Sequence, residues 1–145
     1  MRLELLATSA PGQARKVAQR DDLVRLFGAG TEGTTDDGQQ QITISRGPDS
    51  VRLAWRVRNE SADIGTVAIS ASNAAGWQGQ AMFDLLREFD YVAAWPGGTH
   101  LLVGGADVPI REEQRSWPLI VVREPDDIIR ALEQTPLYVV MMANR

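Results

Sequence analysis

Residues 41–71 alternate between apolar and polar side chains, and this period of two constrains the fold more than any other feature of the chain. Such alternation is typical of β-strands with one buried and one solvent-facing side. It occurs in three runs, QITIS, VRLAWRVR and TVAIS, which turn-forming residues separate. We therefore predict a three-strand antiparallel meander over about residues 41–71, with one apolar face.

The second run places three arginines on the polar side of its strand. Val51, Leu53, Trp55 and Val57 share one parity, and the other parity holds Arg52, Ala54, Arg56 and Arg58. Side chains two residues apart project from the same side about 6.6 Å apart. Guanidinium groups bind carboxylates and phosphates in bidentate pairs, so this row predicts a partner-binding surface. The alternative is a solvated face whose arginines pair with Glu60 or with neighbouring strands.

Helical and strand patterns flank the meander. The sequence predicts helices at residues 21–27, ending at Gly28, at about 78–89, and from Pro125 onward. Further strands are predicted at residues 2–7, 91–95, 100–103, 118–122 and 137–142. Residues 28–40, rich in glycine, threonine and aspartate, are predicted to form a mobile loop.

These elements together indicate an α+β fold. We predict a single globular domain over residues 1–145, with a largely antiparallel sheet and two or three helices packed on one face. The opposite face of the sheet would carry the arginines. A chain of 145 residues is long enough to bury a core without metal or disulfide support.

Composition excludes several classes of site. The chain has no cysteine, which excludes disulfides, thiolate metal sites and cysteine nucleophiles. A net charge of −4 argues against a dedicated nucleic-acid binder. The beginning of the chain does not resemble a signal peptide, and no apolar run reaches the length of about 20 residues that a membrane span needs. We therefore expect a cytoplasmic protein that binds no membrane.

Neither a cofactor nor a metal ion is expected. Residues 28–33 match the pattern G-x-G-x-x-G, but a dinucleotide site requires this pattern between a strand and a helix, and here it follows a predicted helix. The acidic pairs at 21–22, 36–37 and 126–127 are adjacent residues, which do not share one face of a helix or strand, and only the pair at 36–37, predicted in a loop, remains a candidate for a hard cation.

His100 is the only histidine and follows the turn-forming sequence WPGGT. It could act as a general base oriented by Asp90 or Asp107 if the protein is an enzyme. Neither acid has a sequence spacing that forces contact with His100, and no serine lies in a nucleophile-elbow context. An exposed or edge-strand histidine is the alternative that we favour.

Trp95 and Trp117 each precede a proline, which holds the tryptophan backbone extended at a strand end. Tryptophan in such a place can anchor a protein interface or cover the core. We include both residues among the predicted partner-binding side chains, together with Arg52, Arg56 and Arg58.

The absence of a recognisable catalytic set favours a binding protein over an enzyme. The most concrete expectation is a small bacterial inhibitor or immunity-type protein that occludes a protein partner, such as a toxin or other effector, through the arginine-bearing sheet face and adjoining loops. One alternative is a small enzyme or ligand-binding domain that uses His100 near the hairpin at 95–100. Another is an RNA-binding sheet, although Trp55 has the wrong parity to stack bases beside the arginines.

Overall fold

The computed structural model describes residues 3–12, 16–57, 62–96 and 100–133. Within these ranges the chain forms one open sheet of eight strands and three α-helices. The strands are β1 (Leu3–Ser9), β2 (Thr31–Thr34), β3 (Gln40–Arg46), β4 (Asp49–Trp55), β5 (Thr66–Ala71), β6 (Tyr91–Ala94), β7 (Leu101–Val103) and β8 (Leu119–Val121). The helices are α1 (Arg20–Phe27), α2 (Gly76–Glu88) and α3 (Asp126–Glu133). The predicted α+β class is confirmed.

The first strand of the chain lies in the interior of the sheet. The strand order is β2-β3-β4-β5-β1-β6-β7-β8, and the strands pair antiparallel except β7 and β8, which are parallel. On one side, Leu5 of β1 pairs with Ile69 of β5; on the other, Ala7 of β1 pairs with Ala93 of β6. Strand β1 therefore joins the meander to the β6–β8 part of the sheet.

The predicted meander is confirmed as β3, β4 and β5. Leu53 pairs with Ile42 on one side and with Ile69 on the other, so the apolar side chains of the three strands form one row. A two-residue turn connects β3 to β4. Its first residue, Gly47, has a backbone φ of 60°, which residues other than glycine rarely adopt. Strand β4 ends at Trp55, and Val57 is 58% exposed instead of sharing the apolar face.

The predicted loop at residues 28–40 contains a strand at Thr31–Thr34, so the prediction of a continuous loop is wrong. Strand β2 pairs antiparallel with β3, and only residues 35–39 form the connecting turn. All four residues of β2, TEGT, are exposed. Because an edge strand of this kind buries no side chain, its sequence carries no apolar alternation by which it could be recognised.

The helices cover one face of the sheet. The main core contains Leu5, Leu53 and Ile69 from the sheet, together with Leu23 from α1 and Leu85 from α2. Helix α2 contacts both α1 and α3 as well as β6 and β7. The predicted helical segments thus correspond to α1, α2 and α3, with end shifts of one or two residues.

Helix α1 has clear signals at both ends. The Asp22 Oδ2 atom accepts a hydrogen bond from the backbone N–H of Gln19 at 2.9 Å, which holds the entry to the helix. At the other end Gly28 has a φ of 110°, and its N–H donates to the carbonyl oxygen of Val24 at 2.8 Å. The predicted glycine stop after residue 27 is confirmed.

Residues 104–116 cover part of the second face of the sheet. Val92, Leu101 and Val103 form a small second core there, packed against Val108 and Ile110. A guanidinium N–H of Arg111 donates to the carbonyl oxygen of Ser9 at 3.2 Å, which ties this segment to the end of β1. The covered part of the second face is therefore the β6–β8 part.

The strand predicted at residues 137–142 and the turn at 97–99 lie outside the described residues. Strand β8 matches the strand predicted at 118–122, but Leu119 is 41% exposed. Among the residues that the structure describes, no helix combines the length and hydrophobicity that a bilayer span requires.

Gly30 should be required for the packing of β2 against β3, whereas Gly33 should not. A Cβ atom added at Gly30 would lie 2.2 Å from the carbonyl oxygen of Thr43, and one added at Gly33 would meet no heavy atom within 4 Å. We expect Gly30→Ala to lower the free energy of unfolding by about 1 to 3 kcal/mol. Gly33→Ala is the matched control, and urea unfolding of the two variants checks the difference. Equal stabilities would contradict the close approach.

Candidate functional site

The uncovered part of the second face carries the candidate site, which we call the open face. It comprises the side chains of β4, β5 and β1 that point away from the helices, together with Arg56 just beyond β4. Its members are Arg52, Ala54 and Arg56 on the β4 side, Thr66, Ala68 and Ser70 on β5, and Glu4, Leu6 and Thr8 on β1.

The register arranges these side chains in rows across the strands. Ala54, Ala68 and Leu6 form the central row. Arg52, Ser70 and Glu4 form the next row toward one end of the strands. Charged side chains on β4 and β1 therefore stand on either side of the small side chains of β5.

The small side chains of β5 make a shallow groove along this strand. Two depressions of about 200 and 300 Å³ share the side chains of Leu6, Ala54 and Ala68. Because neighbouring strands lie about 4.8 Å apart, the backbones of β4 and β1 are separated by about 10 Å across the groove. Leu6 is 51% exposed, which makes it the principal apolar side chain offered to solvent at this place.

The predicted arginines have different environments. Arg52 is exposed, and its side chain forms no hydrogen bond or ion pair within the part of the chain that the structure describes. Arg56 pairs with Asp37, with Nη2 at 2.9 Å from Oδ2, and its Nη1 donates to the Asp37 carbonyl oxygen at 3.2 Å. Arg58 lies outside the described residues.

The turn between β2 and β3 is fixed beside the groove by its own polar contacts. The Thr35 hydroxyl donates to Oδ1 of Asp37, and this hydrogen bond is the main reason that the pKa of Asp37 is lowered. The positive charge of Arg56 and backbone hydrogen bonds lower the pKa further, while partial desolvation opposes them. Gln39, at the end of this turn, lines the groove.

The two predicted tryptophans are not part of the open face. Trp95 is 7% exposed and belongs to the main core, where its indole N–H has no hydrogen-bond partner among the described residues. Trp117 is 41% exposed and precedes β8, which is three strands away from β1. That separation is about 14 Å. The structure therefore places Arg52 and Arg56 on the same face, about 13 Å apart along the chain direction of β4, and groups neither tryptophan with them.

The structure does not assemble His100 with either predicted acid. Extending the pairing of Val92 with Val103 places half-buried His100 opposite Trp95, at one end of the β6–β7 hairpin. Asp90 lies at the other end, about 16 Å away along the strand, where its Oδ2 accepts a hydrogen bond from the Lys16 N–H at 3.1 Å. Asp107 follows the end of β7 that is away from His100.

Sequence reasoning missed the apolar and acidic members of the open face. Leu6 interrupts the alternation of β1, since Leu3, Leu5 and Ala7 are buried and Glu4 and Leu6 are exposed. The signal available in the sequence is a leucine at position 6, which the alternation of β1 assigns to the same side as Glu4. That Leu6 lies beside Ala68 could not be deduced, because the pairing of β1 with β5 joins distant parts of the chain.

Other classes of site find no support in the described residues. No group of three or more histidine, aspartate or glutamate side chains among them could hold a metal ion. The glycines at 28–33 follow α1 and enter β2, which is not the strand-to-helix context of a dinucleotide site.

Comparisons with protein-family models, with curated proteins and with solved structures found no significant match.

The lowered pKa of Asp37 makes a pH-dependent prediction. Because folding lowers this pKa, the contribution of Asp37 to stability is present above its unfolded value of about 3.9 and is lost as the pH falls through the folded value. Thr35→Val should raise the pKa of Asp37 toward its ordinary range, as measured by NMR titration of the side-chain carboxyl.

Thr34→Val is the matched control, since the exposed Thr34 side chain makes no hydrogen bond among the described residues. It should leave the Asp37 titration unchanged. An unchanged pKa in Thr35→Val would show that the hydroxyl contact does not form in solution.

Proposed function

We propose that this protein is a non-enzymatic protein-binding module that uses its open face. In its most specific form, the proposal is a small bacterial inhibitor or immunity-type protein that acts in the cytoplasm. It would occlude a toxin or another effector through the open face and the adjoining turn at 35–39.

One observation carries the proposal: half-exposed Leu6 lies in a row of alanines, with Arg52 in the next row. The apolar row offers surface that gains free energy when water is removed from it. Arginine beside such a row is typical of interface centres. The strands hold the backbone of these residues in place already, so binding would cost little backbone entropy, and the entropy cost would fall on the side chains, chiefly that of Arg52.

The two alternative functions have no comparable observation in their favour. The enzyme that the sequence suggests would orient His100 with Asp90 or Asp107, and the register puts about 16 Å of strand between His100 and Asp90. An RNA-binding sheet would need aromatic side chains for base stacking beside the arginines. The described open face has none, because Trp55, Tyr91 and Trp95 are buried in the main core.

Substitutions on the open face test the proposal. We expect Leu6→Asp and Arg52→Glu each to reduce the recovery of a specific partner from the native host by roughly tenfold, as measured by affinity capture with quantitative mass spectrometry. Both side chains are exposed, so thermal unfolding should show that the variants fold.

The controls carry the same changes elsewhere. Arg87→Glu places the charge reversal on α2, on the helix-covered side, and Leu119→Asp places the polar change on β8. Both should retain the partner. If Leu6→Asp and Arg52→Glu retain it equally well, the open face is not the binding surface and the proposed function is wrong.

A further inference from the structure

The two edges of the described sheet differ in composition. Strand β2 ends the sheet on one side with the exposed sequence TEGT, and β8 ends it on the other side with LIV. Edge strands of soluble proteins commonly carry lysine, proline or a bulge that prevents pairing with another chain. Strand β8 contains neither residue, and its register with β7 is continuous. Because Leu119 is also 41% exposed, the β8 edge is suited to pair with a further strand.

Leu119 and Val121 direct their backbone groups away from the sheet. On the inner side of β8, the Pro118 carbonyl oxygen accepts a hydrogen bond from the first N–H of β7 at 2.9 Å, and the Val122 N–H donates to the Val103 carbonyl oxygen at 2.8 Å. Every second residue of a strand turns its backbone groups to the same neighbour, so residues 119 and 121 face outward. No strand pairs with this edge within the part of the chain that the structure describes.

The side chains along the β8 edge are complementary to a reversed copy of the same edge. Trp117 and Arg123 flank the strand at equal distances from Ile120. Trp117 is 41% exposed, and the exposed guanidinium of Arg123 makes no hydrogen bond or ion pair among the described residues. In an antiparallel pair centred on Ile120, Leu119 meets Val121 and Trp117 meets Arg123 at both ends. Apolar side chains then face each other, an arginine lies beside each tryptophan, and no like charges are opposed.

We propose that β8 pairs antiparallel with β8 of a second copy of this chain, about a two-fold axis that passes Ile120. The N–H and C=O groups of Leu119 then exchange hydrogen bonds with those of Val121 on the other copy, and the reciprocal pair forms across the axis. The contact uses neither Leu6 nor Arg52 and is independent of the proposed function. Strand β8 is three strands away from β1, so the dimer leaves both open faces accessible.

The oligomeric state of the full chain tests this contact. A three-residue edge makes a small and reversible interface, so sedimentation equilibrium at about 10 μM to about 1 mM should show a monomer–dimer equilibrium. Leu119→Asp should raise the dissociation constant of the dimer roughly tenfold or more, because the dimer brings two carboxylates into an apolar contact. Leu6→Asp makes the same change at an exposed leucine of the open face and is the matched control.

Leu6→Asp should leave the dissociation constant of the dimer unchanged. A protein that is monomeric over the whole range, or a dimer that Leu119→Asp does not weaken, would overturn the inference. So would a dimer that Leu6→Asp dissociates, since that result would place the contact on the open face.

The ends of the contact are tested through Arg123. Arg123→Gln should weaken the dimer roughly fivefold, because the contact with Trp117 is lost at both ends. Arg87→Gln removes an exposed arginine from α2 and should have no effect. If the two variants have the same dissociation constant, the two-fold axis does not pass Ile120.

Hydrogen exchange followed by NMR identifies the backbone groups in the contact. The amides of Leu119 and Val121 should exchange more slowly at about 1 mM than at about 50 μM, because only the dimer protects them. The amide of Ile120, which faces β7, should exchange equally at both concentrations. Protection of Leu119 and Val121 that does not depend on concentration would show that another part of the same chain covers the edge, and the dimer would be wrong.

The dimer and the proposed function fail independently. We expect Leu119→Asp to be monomeric and to retain the captured partner, whereas Leu6→Asp should remain dimeric and lose it. If Leu119→Asp remains dimeric, the β8 contact is wrong and the binding face is unaffected. If Leu6→Asp and Arg52→Glu retain the captured partner, the proposed function is wrong and the dimer is unaffected.

Discussion

The pairing of β1 with both β5 and β6 is the interaction on which the rest of the structure depends. Its hydrogen bonds join residues near the beginning of the chain to strands that lie about 60 and about 85 residues later. In the described sheet, no other strand connects the meander to the β6–β8 part. The same pairing places Glu4 and Leu6 beside Ser70 and Ala68, so the open face exists only when this long-range pairing has formed.

The alternation of side chains along each strand then divides the sheet into two environments. One parity meets the helices and builds the main core. The other parity is covered over β6–β8 by residues 104–116, which the Arg111 contact with the Ser9 carbonyl oxygen holds at the end of β1. Charged side chains at Glu4 and Arg52 are compatible with the part left uncovered, because there they stay hydrated.

What could be predicted from the sequence was the local structure. The meander and the three helices follow from periodicities of two and 3.6 residues, which are local patterns and can be recognised within a single stretch of sequence. Strand β2 could not be predicted from periodicity, because all four of its residues are exposed. Strand order and register could not be predicted, since they depend on contacts between distant segments. For that reason the sequence identifies Arg52 as a surface group. It does not place Leu6 beside Ala68, and it does not give the distance between His100 and Asp90.

The row of Arg52, Ser70 and Glu4 explains how such a face could combine affinity with selectivity. Arg52 and Glu4 project from strands about 10 Å apart and form no ion pair with each other, so both charges remain available to solvent. A partner surface with complementary charges would gain little binding free energy from each exposed ion pair. A surface with like charges would be disfavoured, because its charges would be buried beside Arg52 and Glu4 charges of the same sign. Affinity would then come from water removed from Leu6 and the alanines, and the charged row would select the partner and its orientation.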